Sequence, residues 1–185
     1  MKKIFNDKEQ ILELVVKADN KDKTKELTTQ FDKLKKERIP FYLTLHELNE
    51  IFVWKLRTQI GRQEAKREEN TDENVITITK AAFSITHNDK DYETALKLKL
   101  LTTMTGVGVP VASAILTLCF PTEYSVIDFR NWRQFYKSDK QKTSYSTSEY
   151  VEYLKQIKIL AKEFEVTPQE IDIAIWQLDI DSKKS

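Results

Sequence analysis

The chain has 185 residues and a net charge of +1, with 30 Lys and Arg against 29 Asp and Glu. It holds only 3 glycines and 4 prolines, too few for the turns of an all-β or doubly wound fold, so the composition reads as helical. A single cysteine, Cys119, excludes an internal disulfide and a cysteine-rich zinc or iron–sulfur site within one chain. No apolar run approaches the ~20 residues of a membrane span, and the start lacks the apolar stretch of a secretory leader. The expectation is one domain over 1–185, with no membrane partner and a cytoplasmic location. Bulk charge announces no nucleic acid, although a local patch would still bind one.

Asp7-Lys8-Glu9-Gln10 has the form of a helix start, and Ile11, Leu12, Val15 and Val16 follow at helical spacing. After the polar break Asp19-Asn20-Lys21-Asp22, a second helix carries Leu27, Phe31 and Leu34 and stops before Pro40. Thr44-Leu45-His46-Glu47 is a capping box; a third helix with Leu48, Ile51, Phe52 and Leu56 is expected to end near Gly61. The charged stretch from Arg62 to Asn74 reads as a frayed end and a loop. Val75, Ile78, Ala82 and Phe83 recur at three and four rather than two, which favours a helix over a strand. A helix from Asp89 to Met104 and an apolar one from Val109 to Phe120 flank Thr105-Gly106-Val107-Gly108. Asp128 caps a short helix to about Tyr136, and Lys137 to Tyr145 is a polar loop. Ser146-x-x-Glu149 and Thr167-Pro168-x-Glu170 open the last two helices, the second with proline at its first position. The total is eight or nine helices.

Two of the three glycines stand in one turn. Gly106 suits a positive φ that closes the preceding helix, and Gly108 suits a close backbone approach. The helix that starts there presents free N–H groups, which bind a phosphate without net positive charge. A plain turn between packed helices is the alternative.

Leu101-x-x-Met104-Thr105-Gly106-Val107-Gly108-x-x-x-Ala112-Ser113-Ala114-Ile115-Leu116 resembles the helix-hairpin-helix of the base-excision DNA glycosylases, the superfamily of endonuclease III, the adenine glycosylase acting on mismatches, and the alkylbase glycosylases. In that family a catalytic aspartate follows the hairpin in Val-Asp-x-x-Val. Val126-Ile127-Asp128-Phe129-Arg130 stands in that place, at the family's spacing. The resemblance covers roughly residues 96 to 136. Pro110 occupies the position of the lysine nucleophile of bifunctional members, and the iron–sulfur loop is missing.

The resemblance implies an all-α, helix-hairpin-helix glycosylase-like fold in two small lobes. Residues 44–136 would form a helical barrel with the hairpin at 101–119, and residues 1–43 with 137–185 the second lobe. It implies binding of double-stranded DNA and removal of a damaged or modified base by a monofunctional glycosylase. Asp128 would stabilise the oxocarbenium ion or orient water; its alternative role is a helix cap. Thr105, Gly106, Val107, Gly108 and Val109 would meet the DNA backbone, helped by Arg130 and Arg133. Those arginines belong to a local excess of +3 between residues 128 and 142: Arg130, Arg133, Lys137, Lys140 and Lys142 against Asp128 and Asp139. Trp54, Lys55 and Trp132 would line a base pocket, or else be core (the tryptophans) and surface (the lysine). No cofactor is implied beyond a potassium or sodium ion on the carbonyls of Thr102, Met104 and Val107. His46 and His87 lack a metal-ligand pattern. The hairpin and Asp128 are expected to border one groove. The rival readings are a non-catalytic helix-hairpin-helix DNA-binding module and a helical protein-interaction scaffold.

Overall fold

The computed structural model describes residues 4–19, 23–138 and 142–182, and these form ten α-helices and one 3-10 segment with no strand. The helices are α1 (Lys8–Asp19), α2 (Thr24–Glu37), α3 (Leu45–Leu56), α4 (Glu64–Arg67), α5 (Asp72–Ser84), α6 (Lys90–Leu101), α7 (Val109–Cys119), α8 (Phe129–Tyr136), α9 (Thr147–Glu163) and α10 (Pro168–Asp181). The 3-10 segment is Arg57–Gln63. Parts of two expected polar stretches, residues 20–22 and 139–141, lie outside the described residues.

Local chemistry explains the helix starts. Thr44, Ser146 and Thr167 each close a full capping box with the glutamate three residues on. Each box pairs two backbone donors that would otherwise be orphaned. Asp89 and Asp128 cap α6 and α8 by accepting two N–H groups each.

Two helix ends differ from expectation. The third helix stops at Leu56 rather than near Gly61, because Arg57 turns to φ 48° and the chain tightens into 3-10 geometry. A non-glycine residue in so sparsely populated a backbone region costs on the order of 1–3 kcal/mol. The helix expected to reach Met104 ends at Leu101: Thr103 and Met104 donate to Leu100 and Leu101, three residues back, and the chain leaves the α-helical track. The segment expected to be a frayed helix end and a loop, Arg62 to Asn74, contains the short α4 and the buried Asn70.

α7 is the central helix. Every residue from Val111 to Cys119 is buried, as a helix apolar all round must be. α2, α3 and α6 pack against it. α10 packs on α1, α8 and α9, and α9 packs on α6. These contacts cross the expected boundaries at 43/44 and 136/137 and share one apolar core.

The loop before α8 is fixed from three sides. Tyr150 and Tyr153 of α9, both fully buried, donate to the carbonyls of Ser125 (2.9 Å) and Val126 (3.2 Å). Ser113 of α7 accepts the Ile127 N–H at 3.1 Å, and Asp172 of α10 accepts the Val126 N–H at 2.7 Å. Asp128 therefore starts α8 from a backbone with little freedom. No described helix is long and apolar enough to cross a membrane.

Candidate active site and nucleic-acid interface

Asp128 serves two neighbours at once. Its Oδ1 accepts the N–H groups of Arg130 (2.9 Å) and Asn131 (3.0 Å), the cap of α8. Its Oδ2 faces Lys55 Nζ on α3 at 3.3 Å. Burial works to raise the carboxyl's pKa, but the Lys55 charge and the two N–H donors outweigh it. Asp128 is held below the usual carboxylate range. The Lys55 side chain is 9% exposed and that of Asp128 21%.

This pair lines a small cavity of about 50 Å³, which Trp54, Trp176, Asn131 and Asp172 also border. Trp54 donates its indole N–H to Thr24 at 3.1 Å. Arg57 lies 4.7 Å from the Trp176 ring, so a cation backs one aromatic wall. Asp172 is a second carboxyl on the cavity. Burial, joined by repulsion from Asp128, pushes it well above the carboxylate range despite the Val126 N–H and the Lys55 charge. One cavity thus holds two carboxyls, shifted in opposite directions, and a lysine.

Trp54, Lys55 and Asp128, far apart in sequence, meet here. Trp132 does not join them. Its ring lies 4.3 Å from that of Tyr136, tilted by 43°, and 5.4 Å from that of Tyr145, under Lys142. Arg130 and Arg133 both turn to the buried Asp179 of α10, at 3.0 Å and at 2.6 to 2.9 Å. Lys142 binds Glu149 at 2.6 Å. The local excess of +3 is therefore offset by two carboxylates beyond the segment counted, while Asp139 and Lys140 lie outside the described residues.

At the hairpin, Gly106 takes φ 82° and Gly108 begins α7 at φ −86°. The N–H groups of Gly106, Gly108 and Val109 have no acceptor among the described residues. Asn70, 6% exposed, holds the turn: its side chain accepts the Thr105 N–H at 3.0 Å and donates to the Thr105 carbonyl at 2.8 Å. The concavity beside this turn measures about 410 Å³ and is bordered by Lys66 and Glu69. It is not the cavity of Asp128. The hairpin and the aspartate, expected to border one groove, line separate spaces.

Sequence reasoning missed Asn70, Asn131, Asp172 and Asp179. A faint signal existed for Asp172, a lone acid inside the run Ile171-Asp172-Ile173-Ala174-Ile175. His46 is exposed, and His87 accepts the Asp89 N–H at 3.0 Å, a turn contact. Among the described residues no three His, Cys, Asp or Glu side chains group to hold a metal. No family model, curated protein or solved structure matches the chain.

Proposed function

We propose that the chain binds double-stranded DNA and removes a damaged or modified base by hydrolysis, as a monofunctional glycosylase of helix-hairpin-helix type. The observation that carries this reading is the state of Asp128. It stands where the resemblance assigns the catalytic aspartate, its pKa is held low, and with Lys55, the partner of its Oδ2, it lines a cavity walled by two tryptophans. Cleavage of an N-glycosidic bond builds positive charge on the sugar, and a fixed carboxylate stabilises that charge. Lys55 keeps the carboxylate ionised and offers a cation to a phosphate or to the departing base. The unbonded N–H groups of the hairpin would receive a backbone phosphate, which needs no net positive charge. Thr102, Met104 and Val107 fit an alkali ion: the Thr102 and Val107 carbonyls accept no bond among the described residues, and that of Met104 accepts only the Val107 N–H. The ion would add positive charge where a phosphate approaches.

A base does not fit the cavity as it stands, since ligand pockets hold roughly 300 Å³ or more. Trp54 and Arg57 also border an outer groove of about 490 Å³ with Leu27, His46 and Val53. Displacement of the Trp54 indole, which borders both, would join the two spaces and make room for a base extruded from the duplex. The tightness of the cavity and its separation from the hairpin favour a second reading, the non-catalytic DNA-binding module.

A two-part experiment tests both. Duplex binding is titrated at two salt concentrations, and base release is assayed on duplexes with uracil, alkylated purines, oxidised guanine and mismatches. Salt-dependent binding with release of one of these bases supports the glycosylase. Binding without release from any duplex leaves the module. Absence of salt-dependent binding removes both and leaves a helical scaffold.

A further inference from the structure

Asn131 is 1% exposed and lines the cavity of Asp128. Its amide group donates to two carbonyls, Val126 at 3.2 Å and Asp172 at 3.3 Å. Those bonds fix the orientation of the side chain, since the flipped amide would set oxygen against oxygen. The Asn131 Oδ1 is left buried with no donor. Leaving a buried acceptor unpaired costs ~1–3 kcal/mol, and native proteins meet such a group with a water where space allows. The adjoining cavity of about 50 Å³ has room for one: a water fills about 30 Å³ of liquid. It also offers the further polar partners a bound water needs, in Lys55, Asp128 and Asp172.

We infer that Asn131 and Asp172 build a water site against Asp128, and that the water held there is the nucleophile of the proposed hydrolysis. The second half rests on the glycosylase reading above. The Asn131 Oδ1 accepts one hydrogen of the water and so turns its lone pair away from α8. Asp172 lines the same cavity and adds a second polar partner for the water. In the reaction the water oxygen bonds to C1′ of the sugar, and the bond from C1′ to the base nitrogen breaks. The bonding pair leaves on the base, which takes a proton from solvent. The water's proton passes to Asp128 and returns to solvent afterwards. Asn131 and Asp172 are positioning residues in this scheme, and Lys55 forms no covalent bond.

A high-resolution crystal structure of the full chain tests the site without any assay of activity. The expected result is an ordered water within ~3.2 Å of the Asn131 Oδ1; a dry cavity overturns the inference. The variant Asn131→Leu tests the role, since it keeps the side-chain volume and removes the amide oxygen, while the Asn131 N–H still bonds Asp128. On a lesion duplex its single-turnover base release is expected to fall at least tenfold, with duplex affinity within twofold of wild type. A purely structural Asn131 side chain would leave the rate of the folded variant unchanged, and such a result overturns the role. Borohydride added to the wild-type reaction is expected to trap nothing. A trapped adduct on Lys55 would make the amine the nucleophile and overturn the inference, while leaving base excision standing. If the wild type binds DNA and releases no base, the parent reading and the nucleophile both fail, and the crystallographic water still decides the site.

Discussion

Asn70→Ala is the variant that most directly links hairpin geometry to stability. The Asn70 side chain makes three hydrogen bonds: from the Thr105 N–H at 3.0 Å, and to the carbonyls of Thr105 (2.8 Å) and Arg67 (3.0 Å). Each such bond has a net worth of ~1 kcal/mol. Alanine removes all three and leaves the Thr105 peptide without its partner. Thr105 is only half-buried, so water recovers part of the loss. The expected destabilisation is about 2 kcal/mol, which for a chain of this size lowers Tm by roughly 4–8 °C. Urea unfolding at pH 7 measures it. Asn70→Asp is the control: a carboxylate still accepts the Thr105 N–H but repels both carbonyls, so it recovers less than one bond. The turn would also lose its fixed shape, and duplex affinity should fall more than it does for a surface variant of equal stability. If Asn70→Ala unfolds within ~0.5 kcal/mol of wild type, surface-like behaviour, the clamp does not hold the hairpin.

The same fold fixes three further outcomes. Gly106→Ala forces a side chain into φ 82° and should cost ~1–2 kcal/mol, whereas Gly108→Ala meets only Pro110 Cδ at an ordinary 3.8 Å and should leave unfolding unchanged. Weaker duplex binding by Gly108→Ala at unchanged stability would mark that position as a backbone contact; unchanged binding would remove it from the interface. Asp179→Ala strands two guanidinium groups of α8, and because these are 30% and 25% exposed the loss should be about 2–3 kcal/mol rather than the 3–5 of a fully buried pair; chemical denaturation reads it. Burial works to raise the pKa of Glu93, yet bonds from Lys90, Lys97 and the His87 N–H lower it to about 2. Its folded value lies below its unfolded one, so its contribution is complete above about pH 4.5 and fades as pH falls toward 2. Thermal unfolding at pH 7 and pH 3 should therefore separate further for wild type than for Glu93→Gln, and equal separations would refute the assignment.

Sequence carried the local part of this structure. Thr44, Ser146 and Thr167 announced their helices because a cap and its glutamate sit three residues apart, and the glycine turn announced the hairpin. Helix ends were harder to read, since Arg57 and the 102–104 turn are set by tight backbone geometry that no single residue type signals. The candidate site was half legible. Asp128 was found by its spacing from the hairpin, and Lys55 and Trp54 by their clustering. The lysine's partnership with Asp128 spans 73 positions and only folding creates it. For the same reason Arg130 and Arg133 read as free cations: Asp179, which takes both, stands on another helix. Asn131 and Asp172 are ordinary polar residues until burial leaves one without a donor and pushes the pKa of the other up.

Asp128→Asn gives the most direct measurement. The variant still accepts the N–H groups that start α8, so α8 keeps its cap, but the negative charge facing Lys55 is gone. On whichever duplex the wild type acts upon, base release under single-turnover conditions should fall by about three orders of magnitude, the scale for losing one main electrostatic stabiliser, while duplex affinity stays within twofold. Base release by Asp128→Asn at the wild-type rate would contradict the account, because the carboxylate would then be a helix cap and nothing more.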